Sequence, residues 1–177
     1  MFSDNKRFVL KTVKPAEEKL LFAPKNGVLP FYYQYVASNE RNLLSKLLGI
    51  FKVKLQMMET PVTFVIMDSL IGPEYWRIER LYDLKGSSHK RFTKLTRDEE
   101  ENGSGLKTLK CQNFAGLDIS EQARDDVLAL LEADSQFLAV HNLSDYSLLV
   151  LKIRDLKEGE TDQVKEQALQ IDENGVF

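Results

Sequence analysis

The chain has 177 residues, 43% hydrophobic and 29% charged, enough to bury a genuine core and a composition that excludes wholesale disorder. No run reaches the roughly 20 apolar residues of a spanning helix and Met1 to Arg7 carries no secretion signal pattern, so a cytosolic protein is expected. The formal net charge of −3 gives no global pull toward nucleic acid or an anionic membrane, which leaves polyanion binding to a local patch.

Phe8 to Val13 (FVLKTV) reads as a strand, and alternation sends Lys11 to one face with Val9 and Val13. Pro15, Glu17 and Glu18 open a helix that Pro24, Asn26 and Gly27 keep short. Asn39 is expected to cap a helix carrying Leu43, Leu44, Leu47 and Leu48, with Gly49 just past its end. Ile50 to Met57 and Val62 to Met67 form a hairpin around Glu59, Thr60 and Pro61, and Trp76 to Leu84 is a further strand after a break at Gly72 and Pro73. Thr96 to Lys107 reads as a solvated loop, rich in acids and glycine. Asp118 and Glu121 make a capping box ahead of a long amphipathic helix with Ala123, Val127, Leu130, Leu131, Phe137 and Leu138 on one stripe. His141 to Ser144 ends it, and Tyr146 to Ile153 is an apolar run expected to be a buried strand. Arg154 to Asn174 is polar, and Gly175 to Phe177 resembles the start of another strand. Strands and helices do not alternate regularly, so the outline is α+β and a doubly wound parallel sheet is disfavoured.

Four groups of residues can carry chemistry. Lys11 inside a strand is either a solvated edge residue or a cation for nucleotide phosphates with a helix glutamate, Glu17 or Glu18, as its partner. In Tyr82 to Arg91 (YDLKGSSHKR), Lys85 beside Gly86 lets a cation and bare backbone approach an anion together, with Lys90, Arg91 and Lys94 nearby; the bland alternative is a hairpin turn with a basic face. Asp145 at the head of an apolar strand can hold a substrate hydroxyl or simply satisfy turn N–H groups. Lys110 to Phe114 (KCQNF) says little alone, and Cys111, the single cysteine, reads as a small apolar filler rather than a reactive thiol.

Taken in order, the segments FVLKTV, LPFYYQYV, NLLSKLLGIFKV, VTFVIMDSL, YDLKGSSHKR, LKCQNF and FLAVHNLSDYSLLV resemble the phosphatidylinositol phosphate kinase family along the whole chain, with YDLKGS and DYSLLV its most specific signatures. The resemblance implies a protein-kinase-related lipid kinase fold, with an antiparallel N-terminal sheet over about 1–67 and a C-terminal α/β part over 68–177 that contains the 96–107 loop. It also implies transfer of the ATP γ-phosphoryl group to an inositol hydroxyl of a membrane phosphoinositide, at a cytoplasmic membrane surface visited peripherally, without nucleic acid. By position, Lys11 binds ATP phosphates and Val65 to Leu70, with Met67 and Asp68 among them, forms the hinge for adenine. Asp145 is the catalytic aspartate and Asp83 lies in the active-site region. Lys85 and Arg91 sit near the lipid's existing phosphate. Homodimerisation, known for some relatives, is left open.

The copy departs from the family pattern at its ends. Met1 to Arg7 has no glycine where the family's glycine-rich phosphate loop lies, and the magnesium aspartate of the family falls beyond Phe177. Asp155 and Asp172 are poor substitutes, so Mg2+ is implied with ATP while its ligands stay unknown. The fold is therefore expected to be incomplete and the chain as written inactive. A non-catalytic phosphoinositide-binding module on the same fold, using Lys85, Lys90, Arg91 and Lys94, is the main alternative; a protein-interaction domain of similar composition is the remaining one.

Overall fold

The computed structural model describes residues 1–54, 56, 59–72 and 75–155. Met57, Pro73, Asp172 and the expected strand start at Gly175 to Phe177 lie outside the described residues. The chain forms two compact units. One comprises Met1–Ser3, Phe8–Ser69 and Leu117–Asp145; the other takes Asp4–Arg7, Leu70–Gly116 and the chain from Tyr146 onward. The expected α+β outline is the one found, with an antiparallel first sheet.

In the first unit, strands β1 (Phe8–Val13), β2 (Leu47–Val53) and β3 (Val62–Asp68) form an antiparallel sheet with β3 in the middle. Lys11 and Ile50 both face Val65, while Val13 and Lys52 both face Thr63. Cross-strand partners share a face, and that face is the buried one, since Thr63 and Val65 are each 5% exposed. Phe51 and Phe64, one position along each strand, stack on the opposite face at 5.5 Å. Helix α1 (Pro15–Phe22) begins at a proline, with the Glu17 carboxylate accepting from the Lys14 N–H at 2.8 Å.

Helix α2 (Val28–Ser38) is where the structure departs most from the pattern reading. Asn39 does not start a helix; it ends α2, giving its backbone and side-chain N–H groups to the Tyr35 carbonyl at 3.0 and 2.8 Å. Leu47 and Leu48, expected on that helix, instead open β2. Their ladder with β3 outweighs a weak helical spacing, and Gly49 sits at an irregularity in that ladder where a Cβ would meet the Phe51 ring at 2.7 Å.

The long helix α4 (Glu121–Val140) is found as expected, although Ser120 rather than Asp118 caps it, its Oγ accepting the Ala123 N–H at 3.2 Å. Tyr35 of α2 stacks on Phe137 of α4 at 4.4 Å, and His141 packs against Phe31 and Phe137. Val28 is 3% exposed. No helix among the described residues is long and apolar enough to cross a membrane.

In the second unit, β4 (Ile78–Leu84) lies between β5 (Thr108–Leu109) and β6 (Leu148–Ile153), parallel to β5 and antiparallel to β6. Trp76 and Arg77, expected in the strand, belong to a 3₁₀ turn ahead of it. The strand β6 starts at Leu148 and is only half-buried, because β4 is its single neighbour in the sheet among the described residues; Leu149 and Ile153 are 46% and 50% exposed. The expected 96–107 loop contains a short helix, α3 (Arg97–Asn102). Thr96 and Glu99 cap each other there, and three acids occupy the first turn, where the helix dipole favours them. Ile78, Leu81 and Leu109 form the core of this unit, with Leu109 fully buried.

Candidate functional site

Two groups of expected site residues come together, one in each unit. In the first, Lys11 lies in the middle of β1, exposed at its tip, on the face that carries Thr63 and Val65. The expected pairing of Lys11 with a helix glutamate is not what forms. Glu18 reaches that face from α1, accepts from Lys52 Nζ at 2.7 Å and from the Thr63 hydroxyl at 2.9 Å, and Glu17 is occupied in capping its own helix. The register explains the exchange: Lys52 lies opposite Thr63, the residue Glu18 also bonds, whereas Lys11 lies two positions along, opposite Val65. The Lys52 ammonium, then the Thr63 hydroxyl, hold the Glu18 carboxyl below its usual range. The Lys11 side chain has no hydrogen bond or ion pair among the described residues.

Val65, Ile66, Met67 and Asp68 complete β3, and the chain passes from the first unit to the second between Ser69 and Leu70. Asp68 is fastened to the segment before β2: its carboxylate accepts the Lys46 N–H at 2.7 Å, and its own N–H donates to the Lys46 carbonyl at 3.0 Å. The Ser69 hydroxyl oxygen is buried without a hydrogen-bond partner among the described residues.

In the second unit, β4 and β6 bring the segments YDLKGS and DYSLLV side by side, with Tyr82 opposite Val150, Asp83 opposite Leu149 and Leu84 opposite Leu148. Past β4 the chain turns through Lys85 to Lys90, whose φ is +54°. The turn is held from inside by Arg91, which donates to the Asp83 carbonyl at 2.6 Å and to Cys111 Sγ at 3.3 Å, and lies 3.2 Å from the Asp83 carboxylate. Cys111 also receives the Lys85 N–H at 3.2 Å and gives its S–H to the Lys85 carbonyl at 3.3 Å. Gln112 bonds the Ser88 carbonyl at 2.6 Å, and Asn113 bonds Thr93 through both ends of its side-chain amide.

Cys111 is thus more than a filler. The Lys85 N–H and then the Arg91 guanidinium pull its thiol below the ordinary range, against the opposing effect of burial. The Arg91 charge is correspondingly stabilised, first by Cys111 and then by Asp83. Expected as a ligand for phosphate, Arg91 is nearly buried and already engaged, so the exposed cations of this stretch are Lys90 and Lys94 while Lys85 is half-buried.

Asp145 closes the first unit. It is exposed, with φ +62°, after a turn in which Asn142 has φ +54° and the Leu143 N–H returns to the Leu138 carbonyl at 2.9 Å. A non-glycine residue in the left-handed region is uncommon, though aspartate tolerates it better than most. Among the described residues no three His, Cys, Asp or Glu side chains converge to hold a metal ion, and no step is routed through one.

One residue of the first unit was not singled out from sequence. Asp134 lies on the apolar stripe of α4 and is 4% exposed; its two oxygens accept the Tyr35 hydroxyl at 2.7 Å and the Leu43 N–H at 2.6 Å. Burial and then the neighbouring carboxylate push the Tyr35 phenol up to about 12. The signal available in the sequence is an acid placed between Leu130, Leu131 and Phe137, Leu138 on a helix stripe.

A family model described as Phosphatidylinositol-4-phosphate 5-Kinase matches residues 1–176. The chain is 36% identical over 155 residues to phosphatidylinositol 4-phosphate 5-kinase 1 of Arabidopsis thaliana, an alignment that covers 87% of this chain and 20% of that protein. It is 36% identical over 149 residues to phosphatidylinositol 4-phosphate 5-kinase 6 of the same plant. The phosphatidylinositol 4-phosphate 5-kinase its3 of Schizosaccharomyces pombe is 32% identical over 177 residues, 96% of this chain and 22% of its own. The chain spans about a fifth of the length of these relatives.

Proposed function

We propose, since this chain belongs to the phosphatidylinositol-4-phosphate 5-kinase family, that it supplies part of a site that transfers the ATP γ-phosphoryl group to an inositol hydroxyl of a membrane phosphoinositide. Phosphoryl transfer asks little covalent chemistry of a protein and depends on positioning and charge. Lys11 binds the nucleotide phosphates, residues 65–70 lie against the adenine, and Asp145 orients the attacking hydroxyl. Lys85 meets the phosphate already on the lipid, with Asp83 and Arg91 bracing its turn. The protein works at the cytoplasmic face of a membrane, attached peripherally through its exposed lysines.

The observation that carries this reading is the state of Lys11. Lys11 stands exposed on the face that carries the buried Thr63 and Val65, while Glu18 of α1 is spent on Lys52. A lysine without a carboxylate partner leaves its ammonium donors open to an anionic ligand. The passage of the chain between units at Ser69 and Leu70 supports the hinge assignment.

The test is turnover of labelled ATP by the intact protein on vesicles that contain a phosphatidylinositol phosphate. Lys11→Met is expected to lose about 10²-fold or more in rate, as loss of one preorganised charge does, with Asp145→Asn at least as damaging. Wild-type turnover by Lys11→Met would remove the nucleotide role from that residue.

A further inference from the structure

The buried carboxylate of Asp134 has no place in the scheme above, yet its surroundings tie it to one part of that scheme. Both of its oxygens are used by groups from other segments of the same unit: the Tyr35 hydroxyl of α2, and the Leu43 N–H of the stretch between α2 and β2. That stretch, residues 39–46, belongs to no helix or strand, so its backbone groups turn to side chains or water. Asn42 accepts the Leu44 N–H at 3.2 Å and bonds Lys46 Nζ, and its amide donates to the Asn39 carbonyl at 2.6 Å. The Tyr32 hydroxyl donates to the Ser45 carbonyl at 2.7 Å and accepts the Leu47 N–H at 3.0 Å. At its far end Lys46 exchanges two hydrogen bonds with Asp68. A short run of backbone, Leu43 to Lys46, therefore links a carboxylate buried on α4 to the last residue of β3.

We propose that Asp134 is a positioning residue for nucleotide: by fixing Leu43 it sets the place of Lys46, and through Lys46 that of Asp68 in the adenine-binding segment. The inference rests on the reading that residues 65–70 hold the adenine. A charged acceptor is suited to the task because hydrogen bonds to a buried carboxylate are short and strong, and a nearly buried ion left without them is costly. The Leu43 N–H is therefore held more firmly than a loop amide bonded to water. Asp134→Leu keeps roughly the same volume and removes both acceptor oxygens, so the Leu43 N–H loses its partner; an asparagine would not do this, because the Tyr35 hydroxyl can turn to accept from its NH2 group while its oxygen still accepts from Leu43. Tyr35→Phe removes the other partner and leaves the Leu43 bond in place.

The two variants separate positioning from plain stability. Three measurements are made on the full chain: thermal midpoint, hydrogen exchange of residues 39–47 and 68, and affinity for a fluorescent ATP analogue. Both variants are expected to melt earlier. Of the two, only Asp134→Leu is expected to speed exchange across 39–47 and at Asp68 and to weaken the analogue about five- to tenfold, the effect of roughly one hydrogen bond. Asn42→Ala, which loosens the same stretch without touching α4, is expected to shift exchange and affinity in the same direction, and it carries the test if Asp134→Leu does not fold. Equal changes of affinity in Asp134→Leu and Tyr35→Phe, or exchange at Asp68 unchanged in both Asp134→Leu and Asn42→Ala, would overturn the proposal. A wild-type chain that binds no analogue instead counts against the nucleotide reading of residues 65–70 and overturns the nucleotide half of this proposal, while exchange at Asp68 still decides the mechanical link.

Discussion

The Cys111 sulfur is the hub of the turn after β4, with bonds to both backbone groups of Lys85 and to the Arg91 side chain. Two donors, the Lys85 N–H and the guanidinium, favour the thiolate, while burial resists it. The donors prevail, so the thiol should titrate below its ordinary value of 9.0. The rate of alkylation by iodoacetamide follows the thiolate fraction, and its pH midpoint reads the titration directly. The wild-type midpoint is expected below 9.0, and Arg91→Gln is expected to raise it, because the cation goes while the Lys85 N–H stays. A wild-type midpoint at or above 9.0 would show that burial dominates. The same substitution also releases the Asp83 carboxylate, so it separates the bracing role of Arg91 from lipid contact: a loosened turn should shift exchange at Lys85 whether or not lipid is present.

At the scale of elements, the docking of α1 depends on Glu18. In the folded chain its carboxyl is held below the ordinary 4.5 by Lys52 and Thr63. A depressed acid stabilises the fold above its unfolded value and loses that contribution as pH falls through the folded value. The wild type should therefore be more stable than Glu18→Gln at neutral pH, and the gap should close as the pH is lowered through and below 4.5; thermal midpoints of the two chains across pH 3 to 7 give the comparison. A gap independent of pH would mean that the charge of Glu18 contributes nothing. This pair also marks the limit of what was legible beforehand. Strands β1 and β3 and helix α4 could be read because their apolar period is strong. The aromatic-rich α2 could not, since Phe31, Tyr32, Tyr33 and Tyr35 are weak helix formers, and the leucines after Asn39 offered a competing spacing that a sheet ladder overrode. Lys11, Asp83, Lys85 and Asp145 were singled out through their segments, and their roles are the proposal that the kinase assay tests. The choice of Lys52 over Lys11 by Glu18 was not legible, because it is set by cross-strand register, and Asp134 was overlooked because an acid on a helix is ordinarily solvated.

At the scale of the whole molecule, neither unit is a continuous piece of chain. The backbone crosses between them after Ser3, Arg7, Ser69, Gly116 and Asp145, so α4, the longest helix, is flanked in sequence by segments of the other unit. Its last residues can hold their place only while the chain on either side is held as well. Each unit is also thinly cored: Val28 and Val65 are the buried hydrophobic residues described in the first, and Ile78, Leu81 and Leu109 those in the second. Leu109, fully buried on β5 beside Tyr82, is therefore a sensitive point. Leu109→Ala should cost about 2 to 5 kcal/mol, a large share of the roughly 5 to 15 kcal/mol that holds a domain together. Two probes report on the two units. Far-UV circular dichroism follows mainly the helices of the first unit, α1, α2 and α4, and the fluorescence of the single tryptophan, Trp76, follows the second unit, where Arg154 lies 5.0 Å from its ring. The interleaved chain predicts that the two probes melt together in the wild type and that Leu109→Ala lowers both midpoints by the same amount, although only one unit has lost a side chain. If the tryptophan signal falls first and the helical signal keeps its wild-type midpoint, the units unfold independently, and the positions of Asp145 and Lys85 are then set by separate equilibria.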